Sequence, residues 1–244
     1  MLRRFLLHLL PLLALALALG APKPAAAQAA ALRVQPVLVD VTAPGAASTL
    51  RLHNTGTKPV NVQLRVFRWT QVEGKEVLEP TQDVVTSPPA LTLAPNGQAA
   101  ARIVRVSKRA VQAEESYRLY VDQLPDLAQQ EANTVSLLVR QSIPVFFSHP
   151  ACKRTPSAWS IVADNGSAAI VAENSGESRE RISSLRIQLP NGENISLGDG
   201  LAGYVLGGSQ MRWSLGAGPF AGVESVAVSG QTEKGPFQAM ARTR

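Results

Sequence analysis

From Leu32 onward, apolar and polar positions alternate or cluster in short runs bounded by turn-forming residues. Val60, Val62, Leu64 and Val66 recur at every second position in a segment that ends with Phe67 and Trp69, the period of a strand with one face on a core. Leu32 to Val41, Ser48 to His53, Ala90 to Leu93, Ala101 to Val106, Tyr117 to Leu124 and Thr134 to Phe147 also read as strands. Val72 to Leu78, carrying Gly74 and charges, reads as an exposed hairpin. Asn54-Thr55-Gly56-Thr57, Ser87-Pro88-Pro89 and Ala94-Pro95-Asn96-Gly97 punctuate the series. About seven strands in about 115 residues is the count of an immunoglobulin-like sandwich.

A second series follows Lys153-Arg154-Thr155-Pro156-Ser157, which reads as a linker. Trp159 to Ala163, Ala168 to Glu173, Ser183 to Leu189, Ile195 to Leu197, Gln210 to Leu215, Val223 to Val228 and Phe237 to Ala241 are separated by turns that include Asn165-Gly166 and Asn191-Gly192. Leu50 to Gly56 and Ile170 to Gly176 share a strand-Asn-x-Gly pattern, a weak echo that favours two related β domains over one barrel. The expected division is 28–150, a linker at 151–158, and 159–244.

Composition removes several alternatives. With 5% aromatics, 18 Gly and 17 Pro, the chain does not read as a helical bundle. One Cys and three His cannot furnish a disulfide framework, a Cys-rich zinc site or a haem-attachment motif, so no metal and no cofactor is expected. Cys152 reads as an ordinary thiol near the domain junction. Catalysis is not expected either, because no Gly-x-Ser-x-Gly elbow or paired-acid motif frames the available Ser, His and Asp residues.

Residues 1–27 change the charge picture. Arg3 and Arg4, the apolar run Phe5 to Ala21 and the small residues Ala25-Ala26-Ala27 have the three regions of a cleaved secretory signal, so export to the periplasm without later membrane insertion is expected. Pro11 and the Ala-x-Ala exit weigh against a membrane anchor. Removing Arg3, Arg4 and Lys23 takes the formal charge from +6 to +3. The remaining basic residues form no dense run interleaved with aromatics, which excludes a nucleic-acid surface; Lys108-Arg109 and Glu114-Glu115 read as a solvated loop.

One segment stands apart. Val135, Leu137 and Val139 share one face at period two and Leu138 lies on the other. If Leu138 packs on the domain's own core, the aliphatic row faces outward, where an unpartnered strand is an aggregation hazard and implies a partner. If instead the row faces inward, Leu138 is a surface residue.

Taken together, several pieces are similar to the periplasmic chaperones of chaperone-usher pilus assembly. They are Val34-Gln-Pro36-Val-Leu38-Val, Leu50 to Gly56, Thr86-Ser-Pro-Pro89, Leu93-Ala-Pro95-Asn-Gly97, Arg102-Ile-Val-Arg105-Val, Glu115-Ser-Tyr-Arg118-Leu-Tyr, and Leu137 to Phe147. Phe67-Arg68-Trp69 and Ile143-Pro144-Val145-Phe146 resemble the archaic branch. The resemblance implies an all-β fold of two immunoglobulin-like β-sandwich domains in a boomerang. It implies partners that are pilus or fimbrial subunits lacking their final strand, and an outer-membrane usher; self-association of the free protein to cover its apolar strand is physically sensible but is not decided by the sequence.

By this resemblance Asn133 to Gln141 is the donor strand, with Val135, Leu137 and Val139 filling the subunit's groove. Better-known relatives anchor the subunit's terminal carboxylate on two basic residues. Leu38 and Pro144 stand at those positions here, so Arg140 and Arg118 are the candidate substitutes. Glu115 and His149 fall where relatives make an inter-domain polar contact. The competing class is a secreted β-sandwich binding module or adhesin with a loop-based ligand site.

Overall fold

The computed structural model describes residues 32–125, 137–164, 167–218, 220 and 222–244. The described strands fall into two groups. The first comprises β1 (Leu32–Gln35), β2 (Val39–Thr42), β3 (Ala47–Asn54), β4 (Val60–Val72), β5 (Lys75–Pro80), β6 (Val84–Ser87), β7 (Ala90–Leu93), β8 (Gln98–Arg105), β9 (Glu115–Leu124) and β10 (Arg140–Ser148). The second comprises β11 (Ala158–Asp164), β12 (Ser167–Asn174), β13 (Glu180–Gln188), β14 (Asn194–Ser196), β15 (Leu201–Val205), β16 (Ser209–Ala217), β17 (Ser225–Thr232) and β18 (Gly235–Thr243). Residues 149–157 carry no strand.

The first sandwich packs a sheet ordered β1-β3-β8-β6 against one ordered β2-β10-β9-β4-β5, with β7 paired to β4. Its core comes from the alternation seen in the sequence. Val60, Val62 and Leu64 of β4, Tyr117, Leu119 and Val121 of β9, and Ile143, Val145 and Phe147 of β10 are buried opposite Leu50, Leu52 and Ile103. The strands of the second sandwich connect in the order β14-β13-β17-β18-β11-β12-β16, with β15 on β13. They enclose Trp159, Ile161, Ile170, Ile182, Leu185, Ile187 and Val228.

The echo between Leu50–Gly56 and Ile170–Gly176 has a structural cause. Asn54 is buried; its amide donates to the carbonyls of Lys58 (2.8 Å), Leu93 (3.2 Å) and Ala94 (2.9 Å), and its Oδ1 accepts from Gly56 N (2.9 Å). Asn174 does the same in the second sandwich, donating to Ser178 O (2.8 Å) and Val205 O (3.0 Å) and accepting from Gly176 N (2.8 Å). A short amide carries both donors and an acceptor, which lets it satisfy the backbone groups that a strand leaves open where it turns.

The β4–β5 hairpin, expected to be exposed, is docked. Trp69 and Phe146 of the first sandwich pack with Tyr204 and Leu206 of the second, with Leu38 and Leu78 against them. Gln71 substitutes for a strand edge: its Nε2 donates to Tyr204 O (2.7 Å) and its Oε1 accepts from Leu206 N (3.0 Å). At the hairpin tip Gly74 O accepts from Arg212 N at 3.1 Å. Gly74 has φ +76, and a Cβ there would lie 2.6 Å from the Arg212 Cβ, so both conformation and space require glycine.

Candidate functional site

β10 gives the site its geometry. It lies between β9 and β2, antiparallel to the first, with Pro144 opposite Arg118 and Arg140 opposite Asp122. Ile143, Val145 and Phe147 point into the core, and Gln141, on the same side, reaches across to donate to Leu32 O at 3.0 Å. Continuing that alternation backwards places Val139 and Leu137 on the core side and Leu138 on the outer side. Leu137 is nevertheless 81% and Leu138 48% exposed, while Val139 is half-buried. Leu137 and Val139 thus have inward parity and Leu138 is a surface residue, yet Leu137 is itself exposed.

Pro144 is tolerated within this strand for a positional reason. Gln123 N donates to Val139 O at 3.1 Å, which makes the odd-numbered residues of β10 the hydrogen-bonded pairs with β9. Even-numbered amides point toward β2, whose pairing begins only at Val39 opposite Val145. The missing N–H of Pro144 therefore falls just before its neighbour strand starts.

The outer face of this sheet alternates arginine with aromatic rings. The Arg118 guanidinium lies 3.7 Å from the Trp69 ring centre and donates to Glu76 at 2.9 Å. The Arg140 guanidinium lies 4.8 Å from the Tyr120 ring, and Arg65 lies 5.7 Å from Phe67, itself 5.2 Å from Tyr120. Arg65 donates to Asp122 Oδ2 through Nε (3.0 Å) and Nη2 (2.6 Å), while Arg140 Nε donates to Asp122 Oδ1. Burial works to raise the Asp122 carboxyl, and hydrogen bonds from Arg140 and Arg65 outweigh it, holding the group below its ordinary value. The same bond raises the pKa of the Arg140 guanidinium above its ordinary value.

The sequence-derived candidates land as follows. Val135 lies outside the described residues. Leu137 and Val139 lie just before β10, in residues 137–139 that carry no strand although one was expected from Thr134 onward. Arg140 and Arg118 share the outer face but have separate partners, Asp122 and Glu76. Leu38 packs on the apolar cluster between the sandwiches. His149 is engaged in a tight local turn, its Nδ1 accepting from Ala151 N at 3.2 Å and its N–H donating to Cys152 Sγ at 3.4 Å. The Cys152 thiol donates weakly to Gln112 O at 3.6 Å.

The polar contact between the sandwiches, expected at Glu115 and His149, falls on other residues. Glu115 stands opposite Phe147 and is turned into the first sandwich, where Arg105 grips both its oxygens at 2.7 and 2.8 Å and Tyr117 donates to it at 3.0 Å. Burial tends to raise the Glu115 carboxyl, but Arg105 and Tyr117 hold it below its ordinary value. Burial pushes the Tyr117 hydroxyl up to about 12.

Glu114, just before β9, is turned the other way and meets Arg179 of the second sandwich. The Arg179 guanidinium also donates to Asp40 at 2.6 Å and lies 3.7 Å from the Phe146 ring. Burial opposes the Arg179 charge; Glu114 and Asp40 outweigh it and raise its value. Glu114, expected in a solvated loop, has a side chain only 1% exposed.

Asp122, Glu114 and Arg179 escaped the sequence reading. For Asp122 a signal existed: an acid inside the apolar alternation of Tyr117 to Leu124 disfavours a strand unless a partner receives it.

Comparison with known proteins gives a consistent result. A family model described as Pili and flagellar-assembly chaperone, PapD N-terminal domain matches residues 31–152. Among curated sequences none matches. In structure the chain is similar to the CsuC-CsuE chaperone-tip adhesion subunit pre-assembly complex from archaic chaperone-usher Csu pili of Acinetobacter baumannii, with TM-score 0.69 and 24% identity over 88% of this chain and 100% of that chain. It is also similar to the YadV chaperone, with TM-score 0.63 and 15% identity over 87% of this chain and 100% of that one. The SafA pilin in complex with the SafB chaperone of Salmonella enterica matches with TM-score 0.57 and 17% identity over 85% and 95%.

Proposed function

This chain belongs to the family of pilus and flagellar-assembly chaperones, and from that membership we propose that it captures a pilus subunit by lending it the apolar segment just before β10. The observation that carries the reading is Leu137, 81% exposed in line with the core row Ile143, Val145 and Phe147. A strand that fills its own core along one stretch offers the same alternation to a second core along the next. Main-chain hydrogen bonds supply affinity and alternate side chains occupy pockets. Burying each aliphatic chain contributes roughly 1.5 to 3 kcal/mol. Val135, Leu137 and Val139 together suffice to hold a subunit without an external energy source.

Arg118 and Arg140 are the residues proposed to receive the subunit's terminal carboxylate, through charge-assisted bonds on the outer face of the sheet. Arg118 is favoured by its place opposite Pro144. The rest of the pathway belongs to the same proposal. Residues 1–27 direct export to the periplasm and are cleaved, and the mature chain divides at 151–158 into a donor domain and a second domain. It delivers its subunit to an outer-membrane usher, and free copies associate over the exposed segment. Among the described residues no helix is long and apolar enough to cross a membrane. The family is a class of chaperones, and no catalytic step enters this reading.

Co-expression with the cognate subunit tests it. Leu137→Asp places a charge where the groove expects an aliphatic group, so the soluble complex should disappear while the free chaperone still accumulates. An unchanged yield of complex would remove the donor-strand reading.

A further inference from the structure

Capture depends on the direction in which Leu137 and Val139 leave the first sandwich, and the root of that segment is held from both faces. On the core side, the Gln141 amide donates to Leu32 O in the opposite sheet at 3.0 Å. On the outer side, a single carboxylate, Asp122, takes Arg140 on one oxygen and Arg65 on the other. It thereby ties β10 to β9 and β4. Leu137 stands three residues beyond Arg140, a lever of about 10 Å at strand rise. A small rotation at the root therefore displaces the donated side chain by a large part of a pocket's width.

The arrangement is poorly suited to being a stability device alone. The Arg65 and Arg140 side chains are 41% and 55% exposed, while Asp122 is 9% exposed. Without the carboxylate both guanidiniums can hydrate, so the fold loses little. What is lost is direction: among the described residues Asp122 is the group that hydrogen-bonds both arginines, and its removal leaves the first residue of β10 held on its outer side by the Arg140–Tyr120 ring contact alone.

We infer that Asp122 is the positioning residue of the donor segment, fixing through Arg140 and Arg65 the line along which Leu137 and Val139 are presented to a subunit. The inference rests on the reading that these residues enter a partner's groove. It assigns Asp122 no contact with the subunit; its effect is preorganisation, the ordering cost met before binding.

Asp122→Ala in the full chain, co-expressed with the subunit, provides the test. The captured fraction should fall about tenfold through lost preorganisation. Amide exchange at residues 139–141 of the free chaperone should quicken, and its thermal midpoint should stay near that of the unaltered protein. Arg65→Gln, on β4 and bonded to Asp122 rather than to β10, should move capture and exchange in the same direction by a smaller amount. It carries the test if Asp122→Ala fails to fold. Unchanged capture alongside faster exchange would overturn the inference. So would lost capture with unchanged exchange, since Asp122 would then act on the subunit directly. Leu137→Asp run in parallel separates the two claims: if it too retains capture, the donor reading itself has failed. If it loses capture while Asp122→Ala keeps it, only the positioning role is removed.

Discussion

Ile143, Val145 and Phe147 are at most 2% exposed in the core of the first sandwich, whereas Leu137, earlier on the same side of the same run, is 81% exposed. Both stretches have the alternation of a half-buried strand. The difference lies in what faces them. β9, which pairs with β10, ends at Leu124, so the pairing that backs Ile143, Val145 and Phe147 does not extend to Leu137. Burial thus falls away where the pairing with β9 stops. An apolar row extended past that point has the chemistry of a core with no core of its own.

Cutting into the buried stretch should have the largest effect. Phe147→Ala empties a site packed edge-on against Tyr117, whose ring centre is 6.1 Å away. Such a truncation should cost about 3 to 5 kcal/mol in chemical unfolding. A loss under 1 kcal/mol would show that the two stretches differ less than their burial suggests.

Acid provides a smaller, graded test. Asp122 and Glu115 both titrate below their ordinary values in the folded protein. A depressed acid contributes stability above its unfolded value, roughly 4, and loses that contribution as pH falls through the folded value. Unfolding and capture followed downward from pH 6 should therefore show no loss until about pH 4 and then decline, since Glu114, whose value burial raises, acts in the opposite direction as pH falls. The decline in capture should be weaker in Asp122→Ala. A steady loss between pH 6 and pH 5 would point to other groups.

The smallest effect belongs to the exposed stretch. Leu137→Asp should leave the unfolding free energy of the chaperone alone within about 0.5 kcal/mol, as expected of a surface position. A large destabilisation would mean that Leu137 already packs within its own chain.

Much of this was legible in the sequence because it depends on period two. The core faces of β4 and β9 follow the alternation of Val60 to Val66 and Tyr117 to Val121, and the paired roles of Asn54 and Asn174 follow a short local pattern. Register was not legible. Nothing in the order of residues says that Asp122 lies opposite Arg140, or that Glu114 rather than Glu115 crosses to Arg179, because one position along a strand exchanges the two faces. The docking of the β4–β5 hairpin was hidden for a related reason. Gln71 and Gly74 are ordinary hairpin residues until a second sandwich presents Tyr204, Leu206 and Arg212 to them. The exposure of Leu137 needed the ends of other strands, which alternation within its own strand does not encode.

Amide exchange at Leu137, Leu138 and Val139, compared between the free chaperone and its purified complex with a subunit, tests the central claim most directly. If this stretch becomes a strand of the subunit's sheet, these backbone amides should slow by about a hundredfold or more in the complex, as protected strand amides do. Equal exchange in the two states, with the subunit demonstrably bound, would contradict the account.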